Sequence, residues 1–469
     1  MKRIKYREII PVTNVVTFKK ELWVRDYSFR LEKWMMGEKA GPVRIDAEIT
    51  RQCNLNCIFC SRRTSSIDLN EESKRVEMPK ERWVELARES GELGVKLWNI
   101  SGIGEPMMRA DVTLATMKMI KAYDMFGELT TNGTLWKDKH IKEVVEMGWD
   151  SVCVSIDGPD AKTHDSLRRV KGTFKKAANT VKRFSYWKRK LGADLPSVTI
   201  NMVLNNRNFM KLPEMVKMAH ELGADAIFVE PMVLFSPLAE PLRLREEDIS
   251  QLPTYIEEAR ELGEKYGILP TISSVGVERE FDETLTSNVS KARNVLTEDV
   301  KNNTDPLLSI PCYAPWLFLM VRVDGSVTPC GELDLVKENI RNKSLKEVWF
   351  GEEFQKVREL FTLRQLPPSC DKCRPNTINE MRQIKKAILR YRDVDFLRNE
   401  ILDLIKENKA LRDEVLLLRM KLNASHIKKL KEYEKELLRY KSSLSYKISK
   451  KIGNYSIGKL IKKVFGVYV

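Results

Sequence analysis

VRIDAEITRQCNLNCIFCSRR, residues 43–63, runs from a strand-like stretch into a loop with three cysteines. The run VRIDAEIT (43–50) alternates apolar and polar residues as a half-buried strand does. Directly after it come Cys53, Cys57 and Cys60, spaced C-x3-C-x2-C. The 469-residue chain has eight cysteines, seven of them in two tight groups. Its start, MKRIKYREII, lacks an apolar stretch of signal-peptide length, and no run of about 18 apolar residues is present. A cytoplasmic setting is expected, and grouped cysteines there point to metal rather than to disulfides. Cys153, alone in SVCVSI, reads as a small buried core residue.

Three thiolates can hold three irons of a [4Fe–4S] cube and leave the fourth iron open. Catalytic metal sites keep one coordination position open in the same way. Zinc would need a fourth ligand, and His140, His164, His220 and His426 show no ligand spacing to the loop.

Outward from this loop, β-rich runs alternate with helical stretches up to Val233. The runs are 43–50, 96–102, 124–133, 151–158, 198–205 and 226–233. Segments such as PKERWVELARESGELG and DKHIKEVVEMG lie between them, several ending at Gly as helices do. Six βα repeats imply an α/β fold with a parallel sheet, doubly wound or curled toward a barrel. In such sheets the chemistry sits beyond the strands' carboxyl ends. The cysteine loop, SGIGEP (101–106), TTNG (130–133) and SIDG (155–158) all fall there.

The net charge of +15 is uneven. Residues 381–469 carry 23 Lys and Arg against 10 Asp and Glu, which leaves the first 380 nearly neutral at +2. Charge therefore gives no support for nucleic-acid binding by the main body.

CNLNCIFC resembles the signature of the radical S-adenosylmethionine (radical SAM) superfamily, including the aromatic Phe59 before the third cysteine. The resemblance covers about residues 43–233 and, for an appended domain, 307–380. It implies a partial (β/α)6 barrel in which SAM chelates the open iron. One electron then cleaves SAM, and a 5′-deoxyadenosyl radical abstracts a substrate hydrogen. Gly104 and Glu105 in SGIGEP look like the family's GGE motif, which contacts the methionine amine. The motif's first glycine is Ile103 here. By the same resemblance Ser155 and Asp157 lie on the ribose side, and Arg168 pairs with the SAM carboxylate. A guanidinium suits that task because its forked donors match a carboxylate. Thr131 and Asn132 either line the pocket or close a turn.

The second group comprises Cys312 and Cys330 around a hairpin turning at Asp324-Gly325, then Cys370 and Cys373 in PPSCDKC. By chemistry alone four such cysteines suit a zinc site or a fully ligated [4Fe–4S] cluster. The C-x12-G-x4-C spacing resembles the opening of the SPASM/Twitch extension of radical SAM enzymes. Four cysteines rather than seven match the shorter Twitch form, with one auxiliary cluster. Four thiolates leave no iron open, so the resemblance implies electron transfer and a net oxidation, with an external one-electron reductant. The sequence identifies no catalytic base.

From Leu397 the apolar positions alternate by four and three through Ile401, Leu404, Asn408, Leu411, Val415, Leu418 and Leu422. With Ile401, Asn408, Val415 and Leu422 at position a, the flanking Glu407, Glu414, Arg412 and Arg419 match across a parallel dimer. The end beyond Tyr440 carries seven lysines and no acid, and reads either as a basic amphipathic segment that lies on an anionic membrane surface at its inner face or as a solvated terminus. The expected organisation is an extension (1–42), the barrel (43–233), a helical region and linker (234–306), a Twitch-like domain (307–380), a coiled coil (390–440) and a basic tail (441–469). The leading functional expectation is oxidation or other modification of a carbohydrate or small polar substrate, free or lipid-linked. The alternatives are a peptide-modifying maturase and a non-enzymatic iron–sulfur coiled-coil scaffold. Truncation near Tyr391 should convert a dimer to a monomer on size-exclusion chromatography with light scattering and leave SAM cleavage intact. Asn408→Ile should raise thermal stability while blurring the oligomeric state.

Overall fold

Each β-rich run between residues 43 and 233 becomes a strand, and helices connect successive strands. The computed structural model describes residues 26–64, 68–268, 270–272, 292–331, 333, 335–373, 377, 378, 380–386, 388, 389 and 435. The strands are β1 (Arg44–Ala47), β2 (Leu97–Ile100), β3 (Phe126–Thr131), β4 (Ser151–Ser155), β5 (Ser197–Leu204) and β6 (Ala226–Pro231). A seventh, β7 (Pro270–Ile272), extends the sheet past the last strand expected. The connecting helices are α1 (Leu69–Val76), α2 (Lys80–Glu92), α3 (Ala110–Ala122), α4 (Asp138–Glu146), α5 (Ala161–Arg168), α6 (Thr173–Leu191), α7 (Leu212–Leu222) and α8 (Glu246–Tyr266).

Strand order follows chain order from β1 to β7, and every neighbouring pair is parallel. Right-handed crossovers between sequential strands place all their helices on one face of the sheet. The sheet curls with its other face inward, giving the partial β/α barrel expected. Alternation along the strands sorts the side chains. Ile45, Trp98, Leu129, Val152 and Ile200 are buried on the helix side with Trp83, Leu86, Ile120, Val144 and Phe184. Asp46, Asn99 and Glu128 are neighbours in register on the inner face and stay half-buried. Cys153 is buried as expected, but on that inner face, where its thiol donates to Glu128 Oε1 at 3.3 Å.

The expected hairpin is present as β8 (Phe318–Val321) and β9 (Val327–Thr328), with Gly325 at φ +88° in its turn. β8 pairs in parallel with β1, so the hairpin continues the barrel sheet. Its apolar run covers what would be an open strand edge. Two further helices, α9 (Leu345–Trp349) and α10 (Glu352–Thr362), follow. Arg358 of α10 is buried over the rings of Trp34 and Trp349.

The chain divides into two compact units, Met1–Ile384 and Lys385–Val469. The coiled coil (390–440) with its seam at 394–422, and the basic tail (441–469), lie outside the described residues apart from Lys435. So do residues 1–25 of the N-terminal extension. Among the described residues no helix is long and apolar enough to cross a membrane.

Gly127 of β3 shows how tightly sheet and helices meet, because a Cβ there would come within 2.1 Å of the ring of the fully buried Trp149. Gly127→Ala should therefore cost about 1–3 kcal/mol through overpacking, read as a lower urea midpoint. An unchanged midpoint would mean that Trp149 has room to move.

Candidate radical SAM site

The cysteine loop leaves β1 and hangs on the end of α5. Ile58 N donates to Leu167 O at 3.0 Å, and Asn56 N to Arg168 O at 3.3 Å. A helix end leaves its last carbonyls without intrahelical partners, and here the loop supplies their donors. α5 stops there because Arg169 turns left-handed, with φ +57°. On the other side Cys53 N donates to Asn70 Oδ1 of α1 at 2.9 Å. Leu55, Cys57, Phe59 and Leu167 are buried together, with Cys53, Cys60 and Val170 packed against them.

Arg168 is buried and makes three contacts at once. Its Nε lies 2.6 Å from Asp157 Oδ2, its Nη1 3.6 Å from Cys57 Sγ, and its guanidinium 5.4 Å from the centre of the Phe59 ring. Burial works against its charge, but Asp157 and Cys57 outweigh it and hold the group cationic. Asp157 is itself fully buried. Its Oδ1 accepts from Val203 N at 3.0 Å and its carbonyl from Asn208 Nδ2 at 3.0 Å. One carboxylate oxygen of Asp157 is thus hydrogen-bonded to the β5 backbone and the other is ion-paired with Arg168. Ser155, at the carboxyl end of β4, is buried beside Asn201 of β5.

The loop after β2 closes on the same place. A Cβ at Gly104 would land on the Thr50 carbonyl oxygen and come within 2.9 Å of Arg51 C. Only glycine lets the two loops approach this closely. Glu105 N donates to Gln52 O at 2.8 Å. The Glu105 carboxylate is buried and accepts from Thr131 Oγ1 at 2.6 Å, Asn132 N at 2.6 Å and Met107 N at 3.1 Å. Burial raises its pKa, and these donors pull the other way. Glu105 thus ties the β2 and β3 loops together, while the backbone of the motif abuts the cysteine loop. Asn132 Nδ2 donates to Asn54 Oδ1 at 2.9 Å and reaches to 4.0 Å from Cys53 Sγ.

The three cysteines form a sulfur-only donor set with N–H groups aimed at two of the sulfurs. Leu55 N lies 3.4 Å from Cys53 Sγ, and Arg168 Nη1 faces Cys57. Burial pushes the Cys53 thiol up to about 11 and raises Cys57, with Arg168 opposing the shift at Cys57. Loading a metal on these residues must then release protons. A cluster of thiolate ligation, stabilised by N–H···S contacts, fits this set.

In the second group, Cys312 and Cys330 lie near Cys370, and Cys373 N donates to Cys370 O at 3.2 Å. Cys312 and Cys330 flank the β8–β9 hairpin, and Cys370 and Cys373 sit at a turn over Pro368–Lys372 and its cap. Burial pushes the Cys370 thiol up to about 12, helped by the nearby Cys312 and Cys330 sulfurs and opposed by Arg293. Arg293 Nε pairs with Asp371 Oδ1 at 3.5 Å. By donor chemistry, four cysteines suit a fully thiolate-ligated iron–sulfur cluster. Sequence reasoning passed over Asn70, His164 and Asn208, which hold the loops from behind. Their signal was polar side chains at strand and helix ends, NNRN after β5 above all.

The Radical SAM superfamily model matches residues 47–228, and the SPASM model, an iron–sulfur cluster-binding domain, matches residues 312–374. Together they take in more than half of the chain and all seven grouped cysteines. The chain is an enzyme of the radical SAM superfamily with a C-terminal SPASM domain. The cofactors of that class are SAM, a [4Fe–4S] cluster and auxiliary iron–sulfur centres. Among similar proteins, the AdoMet-dependent heme synthase of Methanosarcina barkeri is 27% identical over 334 residues, spanning 69% of this chain and 87% of its own. The PqqA peptide cyclase of Granulibacter bethesdensis is 24% identical over 346 residues, 71% and 80% of the two chains. The sporulation killing factor maturation protein SkfB of Bacillus subtilis is 25% identical over 309 residues, 66% and 64%.

His164 makes the site sensitive to acid. It is fully buried, its Nδ1 accepts from Asp157 N at 3.1 Å, and burial, then Arg168, lowers its pKa from 6.5 to about 4. Between those values the unfolded chain binds the extra proton, so stability falls as pH drops, by at most about 1.4 kcal/mol per pH unit. His164→Gln should flatten the pH dependence of the unfolding midpoint between pH 6.5 and 4. Equal slopes in the two proteins would place the acid sensitivity elsewhere.

Proposed function

We propose that this enzyme carries out an oxidative radical modification of a peptide. The observation that carries the oxidative part is the presence of two separate sulfur sets in one folded unit, only one of which leaves a position open. Cys53, Cys57 and Cys60 would hold the SAM-binding cluster, and Cys312, Cys330, Cys370 and Cys373 one auxiliary cluster. When bound, these groups supply one-electron cleavage of SAM, a carbon radical that removes a substrate hydrogen, and an acceptor for one electron.

The chain's own residues bind and orient. Arg168, aimed by Asp157, would offer its remaining donors to the SAM carboxylate. The backbone at Gly104 would meet the methionine amine, with Glu105 as a positioning residue behind it. Phe59 walls the loop, and Ser155 would stand at the ribose. The peptide part of the reading is supported by the relatives named for peptide cyclisation and peptide maturation, most of whose length the first of them shares with this chain. The carbohydrate expectation has no counterpart among the relatives named above.

The anaerobically reconstituted, reduced protein should cleave SAM to 5′-deoxyadenosine, and Cys57→Ala should abolish this. Replacing Cys53, Cys57 and Cys60 together should leave about one [4Fe–4S] cluster per chain. Zinc without iron in that variant would end the electron-acceptor reading. For the substrate, peptides encoded beside the gene should raise 5′-deoxyadenosine formation and lose two hydrogens by mass spectrometry. The same response to sugars, with none to peptides, would restore the carbohydrate reading.

A further inference from the structure

We propose that the surface over the end of α5 and the start of α6 is where a small acidic one-electron carrier protein docks to reduce the SAM-binding cluster. The proposal rests on the reading of Cys53, Cys57 and Cys60 as that cluster's ligands. The first observation is charge. The first 380 residues are nearly neutral, yet residues 161–191 hold 11 Lys and Arg and a single acid, Asp165; three of these cations, Arg168, Arg183 and Lys188, pair with Asp157, Asp138 and Asp225 from outside the segment. Asp165 does not offset the surface around it. Its carboxylate accepts from Gly172 N at 2.6 Å, Thr173 Oγ1 at 2.8 Å and Phe174 N at 2.8 Å. Asp160, the next nearest in sequence, is held by Lys211 at 2.7 Å.

Position is the second observation. Arg169, Lys171, Lys175 and Lys176 are all exposed. Between them Val170 is half-buried and packs against the group formed by Leu55, Cys57 and Phe59. The residues just before, Leu167 and Arg168, accept backbone bonds from the cysteine loop itself. These exposed cations flank in sequence an apolar side chain that packs on the cysteine loop, and the loop's Asn54 and Asn56 are exposed.

That arrangement suits a partner that must arrive, deliver and leave. Complementary charge at a rim raises the encounter rate more than it lengthens the complex's life, and electron-transfer encounters bury little area. The transfer balances simply: one electron leaves the reduced carrier and enters the cluster, and no bond, proton or group moves.

The test uses the reconstituted full chain and its Lys171→Glu/Lys175→Glu/Lys176→Glu variant. Cluster reduction is followed by optical bleaching and by the SAM-sensitive electron paramagnetic resonance signal. With a reduced acidic [2Fe–2S] ferredoxin as probe, the variant should be about tenfold or more slower at low salt. The gap should close as salt screens the charges. Photoreduced 5-deazaflavin, a small reductant, should reduce both proteins equally, and Lys346→Glu should match wild type with both reductants. Equal ferredoxin rates in wild type and variant would overturn the docking surface while leaving the cluster reading intact. Failure of 5-deazaflavin to produce a SAM-sensitive signal in wild type would overturn the cluster reading instead. Loss of binding to phosphatidylserine vesicles in the variant, with ferredoxin rates kept, would hand this surface to a lipid and also overturn the proposal.

Discussion

The structure of the site depends on one helix end. α5 is only two turns long, and its exposed carbonyls at Leu167 and Arg168 accept the backbone of the loop that carries Cys53, Cys57 and Cys60. The same residue, Arg168, sends its side chain back to Cys57 and Phe59. Backbone and side chain thus fix the loop from two directions. Asp157 makes this possible by neutralising a buried guanidinium, which would otherwise be expensive to keep out of water. Removing either partner leaves a buried charge without compensation, so the pair behaves as a unit.

Around that anchor, loops from successive strands are stitched to one another. Glu105 receives donors from the β3 loop, Asn132 of that loop reaches the cysteine loop, and Gln52 receives Glu105 N. The closure at Gly104 admits no side chain. Buried polar networks are costly when incomplete; this one is filled by hydrogen bonds at Glu105, and at Asp157 the ion pair with Arg168 completes it. Its rigidity is what a ligand site needs, because first contacts are only as well placed as the residues behind them.

Local pattern carried the fold much further than it carried the roles of individual side chains. All six strands up to β6 were legible because each short apolar run ends in a turn or a helix signal. β7 was not, since three residues beginning at Pro270 give no periodicity to read. The parallel pairing of β8 with β1 joins residues more than 270 positions apart, and nothing local encodes it. Asp157 and Glu105 sit in motifs that look exposed at strand ends. Their burial follows only once α5 folds back over β4 and the β3 loop folds over β2. Cys153 was legible as buried, but its facing the inner side depends on register, which a single strand does not reveal.

The inner face completes the division of labour. Outer positions of the strands are apolar and pack on helices, whereas the inner face mixes apolar residues such as Phe228 and Met320 with acids that pair with amides and a thiol. Asn99 Nδ2 donates to Asp46 Oδ1 at 2.9 Å, Cys153 to Glu128, and Asn201 Nδ2 to Glu230 Oε1 at 3.1 Å. A lining of this kind is solvated when open, so a purely apolar substrate would gain little there. A substrate that presents N–H and O–H groups can replace the water it displaces, bond for bond. Under the proposed reading, cluster and SAM set what kind of hydrogen is removed, and this inner row sets which molecule is held long enough to lose it.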